Sequence, residues 1–141
     1  MATKQPKKAY VRMHKDVKKR VLQDMEPVAY TIDASGRTLG RVASEAATAL
    51  LGKKSAKFVK NKVLQVSVTI NNAKKLSLPE KRVAQKSYAR YSGYPGGLRF
   101  ISMTDLIATK GVKAVIEKAV DGMLPRNKLR KERMKRLTIN D

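Results

Sequence analysis

An alternation of strand-like and helix-like patterns between residues 28 and 70 limits the folds open to this chain. Residues 28–32 have the apolar, β-branched character of a short strand, and residues 33–36 follow as a turn. Residues 38–51 carry apolar side chains at helical spacing, with Gly52 as the stop. Residues 63–70 then alternate between apolar and polar side chains. This strand–helix–strand order predicts an α/β fold with a small, mostly parallel sheet.

Beyond residue 70 the periodic signal weakens until a second helix. A short strand is predicted at residues 76–78, whereas residues 80–88 show no clear period. Residues 100–102 are expected to lead into a helix capped at Thr104. An apolar stripe between residues 112 and 123 then predicts a second strong helix.

The charge of the chain is the main indication of a partner. Its 141 residues include 32 Lys and Arg against 11 Asp and Glu, a net charge of +21. Such a field destabilises a compact monomer unless a polyanion neutralises it, and nucleic acid is the natural candidate. An anionic membrane surface is the alternative, but no long amphipathic basic helix with aromatic anchors supports it. Within the first helix, Arg41 and Glu45 are spaced to form an ion pair.

The chain length suits one domain with basic ends. Residues 1–26 are predicted to be a basic N-terminal extension, disordered or ordered by RNA, because few of their side chains are apolar. Residues 27–141 are predicted to be a single domain that includes a basic C-terminal segment from about residue 125. A helix formed by residues 126–136 would carry basic side chains on nearly every face, so it would lie either in solvent or among phosphates. Because the rest of the chain is also positively charged, contact with RNA is favoured. We expect neither a transmembrane helix nor a secretory signal.

The side chains needed for catalysis or metal binding are scarce. The chain has no cysteine, and its one histidine, His14, lies in the basic extension. Asp33 follows the first predicted strand with Ser35 beside it, where a turn carboxylate that accepts backbone N–H groups is the simpler interpretation than a catalytic one. We therefore expect no enzymatic activity, metal, cofactor or small-molecule substrate.

Residues 36–40 are reminiscent of a phosphate-binding turn between a strand and a helix. Thr38 is the predicted N-cap, and free N–H groups at a helix N-terminus attract anions. The full spacing of a dinucleotide-binding or P-loop motif is missing, which argues against a nucleotide-dependent enzyme. The turn either binds an RNA phosphate with help from Arg37 and Arg41 or is a plain connection.

The segment from Lys86 to Arg99 combines aromatic, cationic and glycine residues. It holds three of the five tyrosines and three of the eight glycines. Aromatic rings stack on unpaired bases, cations contact phosphates, and glycines allow close approach of the backbone. This composition favours irregular RNA over DNA, for which no helix-turn-helix or zinc pattern is present. The alternative is a surface loop whose tyrosines pack on the domain's own core.

Four segments together resemble one protein family. They are residues 33–44 (DASGRTLGRVAS), 70–76 (INNAKKL), 88–98 (YARYSGYPGGL) and 115–129 (VIEKAVDGMLPRNKL). In this order they are similar to universal large-subunit ribosomal protein thirteen of the bacterial type. The resemblance implies a three-layer α/β/α domain with a four-stranded parallel sheet. It also implies binding to large-subunit rRNA as an early assembly protein, with neighbouring ribosomal proteins as partners, a cytoplasmic location in the large subunit and no catalytic role.

The residues predicted to contact RNA lie in the turn, the basic connector after the first helix, the tyrosine-glycine segment and the C-terminal segment. They are Arg37, Arg41, Lys53, Lys54, Lys57, Lys60, Lys86, Tyr88, Arg90, Tyr91, Ser92, Gly93, Tyr94, Gly96, Gly97, Arg99, Arg126, Asn127, Lys128, Arg130, Lys131, Arg133, Lys135 and Arg136.

Overall fold

A computed structural model describes residues 27–56 and 58–141, so the predictions for residues 1–26 and for Lys57 lie outside the described residues. The elements follow one another along the chain as strands, helices and one short 3₁₀ turn. They are β1 Val28–Asp33, α1 Leu39–Leu51, β2 Val66–Asn71, the 3₁₀ turn Ala73–Lys75, α2 Glu80–Gln85, β3 Ser87–Tyr91, β4 Leu98–Ser102, α3 Met103–Met123, α4 Arg130–Met134 and β5 Leu137–Ile139.

Strands β1, β2 and β5 form a parallel sheet in the order β1–β2–β5. Val28 lies opposite Val66, and Ile70 lies opposite Ile139. The connection from β1 to β2 contains α1, and the connection from β2 to β5 contains α3; both lead to the next strand in the same direction across the sheet. Because connections between parallel strands are right-handed, α1 and α3 cover the same face of the sheet. The predicted α/β fold with a mostly parallel sheet is confirmed.

Two details of the sheet differ from what the family resemblance implies. Within the described residues the parallel sheet has three strands rather than four, because residues 76–78 form only an isolated parallel bridge, between Ser77 and Thr38. The helices cover one face rather than both. On β2, Val66 and Val68 are buried on that face, whereas Ser67 on the other face is exposed.

Helix α1 begins and ends where the sequence predicts. Thr38 occupies the N-cap position, although its side chain makes no capping hydrogen bond, and Gly52 ends the helix in the left-handed region at φ +79°. A Cβ on Gly52 would collide with the side chain of Leu64, so glycine is required there for two reasons. The predicted pair between Arg41 and Glu45 is wrong, because the Glu45 carboxylate is bound by other partners.

The partners of Glu45 lie before and after α1. Its carboxylate accepts from the Arg37 guanidinium at 2.7 Å and from the Lys54 ammonium at 3.3 Å. The hydrogen bond from Arg37 is the main cause of a lowered pKa for Glu45. The ion pairs therefore join the two ends of α1 instead of running along one turn.

Helix α3 confirms the apolar stripe and corrects its start. The N-cap is Ser102 rather than Thr104, since the Ser102 hydroxyl accepts from the backbone N–H of Asp105 at 3.0 Å. The helix bends at Gly111, whose φ of +74° and ψ of 177° are not helical. Met123 ends the stripe and is exposed, because it lies at the last position of the helix.

The interior consists of two hydrophobic clusters. The larger cluster packs the sheet against α1 and the C-terminal part of α3, where Ile116 and Val120 are buried. The smaller cluster is formed by Met103, Leu106 and Val115, and Tyr88 of β3 packs against it. This smaller cluster fixes β3 and β4 to the rest of the domain. No helix in the described part of the chain is long and apolar enough to cross a membrane.

Candidate nucleic-acid interface

A groove of about 830 Å³ lies between the N-terminus of α1, the start of β3 and the C-terminal part of α3. Its lining is rich in cations from four parts of the chain. We call it the basic groove, and its cationic residues are Arg82, Lys86, Lys118, Arg126 and Arg130. The one acidic residue in its lining is Asp121, whose carboxylate is paired with the Arg130 Nε at 3.0 Å. The groove therefore presents a strong excess of positive charge.

Tyr88 lies at the centre of this arrangement. Its half-buried ring packs against the smaller cluster, while the ammonium groups of Lys118 and Lys86 lie 5.3 Å and 5.8 Å from the ring centroid. Burial raises the pKa of the Tyr88 phenol further above neutral pH, and its hydroxyl, like any tyrosine hydroxyl, can donate a hydrogen bond. One of the predicted RNA ligands is thus also a packing residue, and the ring holds two cations at the groove.

The tyrosine-glycine segment, Lys86 to Arg99, forms most of a β-hairpin rather than a loop. Strands β3 and β4 pair antiparallel, with Tyr91 opposite Leu98, and residues 92–97 connect them. Gly93 and Gly96 adopt φ of +91° and +73°, values that glycine tolerates best. The strands were missed because most side chains on both faces of the hairpin are exposed, so no apolar–polar alternation marks them.

The tyrosines beyond Tyr88 do not pack on the domain. The side chain of Tyr94, at the tip of the hairpin, is 75% exposed, and that of Tyr91 is 62% exposed. The packing alternative therefore applies to Tyr88 and not to these two residues. Their rings are accessible to a partner.

Two arginines face each other across the hairpin. Arg90 and Arg99 are directly opposite in the strand register, and both are exposed. Directly opposite residues share one side, and alternation puts this pair on the side of Tyr88. Like charges in this position destabilise a hairpin, and no carboxylate of the described residues pairs with either guanidinium. An anion bound between the two guanidinium groups would remove this repulsion. The arginine pair itself continues the positive charge on the Tyr88 side of the hairpin towards the tip.

The turn before α1 is a structural turn. The Asp33 carboxylate accepts from the Asn72 amide at 3.0 Å and from the backbone N–H and hydroxyl of Ser35 at 3.1 and 2.9 Å. These hydrogen bonds, that of Asn72 first, lower the pKa of Asp33. Of the two arginines expected to assist a phosphate there, Arg37 is bound to Glu45, whereas Arg41 is exposed.

The C-terminal arginines divide into two groups. Arg133 is only 1% exposed, and its Nη2 donates to the carbonyl oxygens of Lys62 and Lys60 at 3.2 and 3.5 Å. Arg136 Nη1 donates to the carbonyl oxygen of Leu64 at 2.6 Å. These two side chains therefore fix the backbone of residues 60–64, which leads into β2, by hydrogen bonds to its carbonyl groups. The sequence of residues 126–136 does not indicate these structural roles, because no periodicity in it distinguishes a buried arginine from an exposed one.

The other basic residues of the C-terminal segment remain on the surface. A second hollow, lined in part by Asn127, Lys128 and Lys131, shares Lys118 and Arg130 with the basic groove. The second hollow also contains Glu117 and Asp121, so the two hollows adjoin and their combined lining is predominantly, not uniformly, cationic. Lys135 is exposed at the end of α4.

The lysines of the basic connector after α1, residues 53–62, differ in whether they are accessible or paired within the domain. Lys53 and Lys60 are exposed. Lys54 is bound to Glu45, and its ammonium lies 5.0 Å from the centroid of the Tyr30 ring. The connector therefore offers fewer accessible cations than its sequence indicates.

The described residues contain no group of three or more His, Cys, Asp or Glu side chains that could hold a metal ion. The fold and the surface together define a small α/β domain with a predominantly cationic face, the surface property typical of nucleic-acid-binding proteins.

Comparison with known proteins identifies the family. A model of the ribosomal protein L13 family matches residues 28–140. Large ribosomal subunit protein uL13 of Thermus thermophilus is 42% identical over 123 residues, which is 87% of each chain. The uL13 of Dehalococcoides mccartyi is 46% identical over 110 residues, 78% of this chain and 76% of the relative. That of Moorella thermoacetica is 43% identical over 116 residues, 82% and 80% of the two chains.

The chain belongs to the ribosomal protein L13 family. Members of this family are structural, non-enzymatic components of the large ribosomal subunit, which is cytoplasmic in bacteria. The family resemblance found in the sequence is confirmed.

Proposed function

We propose that this protein binds large-subunit rRNA through the basic groove and the hairpin, and that this binding supports early assembly of the subunit. The observation that carries the proposal is the groove itself. Five cations line the groove, two of them against the ring of Tyr88, and the pair Arg90 and Arg99 lies further along the same side of the hairpin. Phosphates would satisfy this surface, because each charge-assisted contact replaces a condensed counterion.

The proposed interface is narrower than the sequence alone indicates. It excludes Arg133 and Arg136, which bind backbone carbonyls, as well as Arg37 and Lys54, which bind Glu45 and do not line the groove. Arg130 is retained because it lines the groove, although its guanidinium is paired with Asp121. We further propose that residues 27–141 form one domain and that residues 1–26 are a basic extension, which adds eight Lys and Arg side chains.

The salt dependence of binding tests the proposal. If about six phosphates are neutralised, affinity for a large-subunit rRNA fragment is expected to fall roughly 1,000-fold between about 50 and 200 mM salt. The dissociation constant of the full chain is measured across a salt series, with duplex DNA of equal length as the competitor. A flat dependence, or equal affinity for the duplex, contradicts the proposal.

Tyr94 gives a test of base contact at the hairpin tip. Tyr94→Ala is expected to weaken rRNA binding by roughly five- to 150-fold, since stacking of a base on an aromatic ring contributes about 1–3 kcal/mol. The melting temperature should stay within about 1 °C, because the ring is 75% exposed. Tyr94→Phe is the matched control and should retain binding. A sharp fall in melting temperature with normal binding by the folded fraction would make Tyr94 a packing residue.

A further inference from the structure

The side of the hairpin that faces away from the domain is apolar. Strand register and alternation place Tyr91, Leu98 and Phe100 on this side, opposite to Tyr88. Nearer the base of the hairpin the same side carries Ala89 and the polar pair Ser87 and Ser102. Leu98 and Phe100 are 54% and 67% exposed. We call Tyr91, Leu98 and Phe100 the outer hairpin face. Neither Leu98 nor Phe100 was among the residues predicted to bind RNA.

Exposed hydrophobic side chains are concentrated at this place. Of the seven large hydrophobic residues that are exposed in the described part of the chain, three belong to the outer hairpin face and a fourth, Tyr94, lies at the adjoining tip. Single exposed apolar residues are normal, but a contiguous group marks an interaction surface. The group is also costly in water, so a partner that covers it gains apolar burial.

The two sides of the hairpin have opposite chemistry. The side of Tyr88 carries the cross-strand arginine pair and continues the basic groove, whereas the outer hairpin face has no charged residue among its paired positions. Surfaces that stack RNA bases on aromatic rings combine those rings with cations that follow the phosphates, and the outer hairpin face has no such cations among its paired positions. A surface depleted in charge and rich in aromatic and aliphatic side chains matches the core of a protein–protein interface. Charge therefore assigns a different partner to each side.

We propose that the outer hairpin face docks on an apolar surface of a neighbouring large-subunit protein, while the opposite side of the hairpin faces rRNA. This inference rests on the proposed function for the RNA side only. It moves Tyr91 from the RNA interface to the protein interface, because Tyr91 shares a side with Leu98 and Phe100. A second copy of this chain fits less well, since two chains of charge +21 repel one another.

Cross-linking inside the assembled subunit identifies the partner of each side. Phe100 is replaced by a diazirine-bearing amino acid in the full chain, and large subunits are isolated after a high-salt wash and irradiated. We expect a covalent product with another large-subunit protein. The same probe in place of Arg99, on the opposite side, is the matched control and should react with rRNA. A product of the Phe100 probe with rRNA, with a second copy of this chain, or with solvent alone would overturn the proposal.

Paired variants separate this inference from the proposed function. The double variant Leu98→Ser, Phe100→Ser is expected to bind an rRNA fragment within about twofold of the parent. Its retention in large subunits after the high-salt wash should fall severalfold, because apolar contact has been removed. A loss of fragment binding of more than tenfold at unchanged melting temperature, or unchanged retention, would overturn the docking proposal. The variant Arg90→Ala, Arg99→Ala tests the RNA side, and unchanged fragment binding there would instead contradict the proposed function.

Discussion

Reversing two charges of the basic groove, with Arg82→Glu and Arg126→Glu in one protein, is expected to weaken binding of large-subunit rRNA about 100-fold or more. Both side chains line the groove and are exposed, Arg82 on α2 and Arg126 after α3. Each charge-assisted contact contributes roughly 1.5–3 kcal/mol, so the loss of two accounts for this factor before any repulsion is added. The measurement is the dissociation constant at about 150 mM salt, together with its slope against log salt. That slope should fall by about two.

A matched control separates the groove from the net charge. The variant Lys110→Glu, Lys113→Glu makes the same change in charge on exposed positions of α3 that do not line the groove. Screening limits long-range effects to about 8 Å at this ionic strength, so the control should lose less than about tenfold. Equal losses in both variants would show that the field of the whole chain, and not the groove, determines affinity. Circular dichroism confirms that both proteins are folded.

Removing the buried arginine is expected to destabilise the fold rather than the RNA contact. Arg133→Ala deletes a side chain that is 1% exposed and leaves the carbonyl oxygens of Lys60 and Lys62 without their donor. We expect a loss of roughly 2–4 kcal/mol in the free energy of unfolding from the cavity and the lost hydrogen bonds. The melting temperature should fall on the order of 10 °C, measured by differential scanning calorimetry.

Neighbouring positions provide the comparison for Arg133. Lys131→Ala changes an exposed cation on the same short helix and should leave the melting temperature nearly unchanged. Arg133→Lys keeps the charge but loses the planar fork, so a smaller fall is expected, and this variant serves if the alanine protein does not fold. If Arg133→Ala keeps its melting temperature but loses rRNA binding, the structural role assigned to this arginine is wrong.

Periodic segments of the fold could be predicted because burial leaves a pattern in the sequence. Helix α1 and strand β2 each bury one face, so their apolar residues recur at 3.6 or two positions. Helix α2 has no buried residue, and most residues of β3 and β4 are exposed. Without a buried face these elements show no apolar periodicity, so the sequence alone does not distinguish the hairpin from a loop. The start of α3 was placed two residues late because Ser102 and Thr104 are both good caps.

The residue types of the candidate site could be predicted, but their partners could not. The sequence places cations and tyrosines near one another, which is sufficient to indicate a polyanion. Whether an arginine faces solvent or a backbone carbonyl depends on contacts between residues about 70 positions apart, as for Arg133 and Lys62. The apolar outer hairpin face was also missed, because the register that places Phe100 beside Tyr91 and Leu98 is a tertiary feature.

The division of the interior into two clusters bears on how the protein adapts to its surroundings. The hairpin rests on the smaller cluster, in which Met103, Leu106 and Val115 are the buried residues, whereas the sheet belongs to the much larger one. Segments that bury few apolar contacts open locally at a lower free energy than the core of a domain. Amide hydrogens of the hairpin are therefore expected to exchange faster than those of the parallel sheet. Two parts of one short chain are thus expected to differ in local stability, the sheet having the larger buried cluster and the hairpin the smaller one.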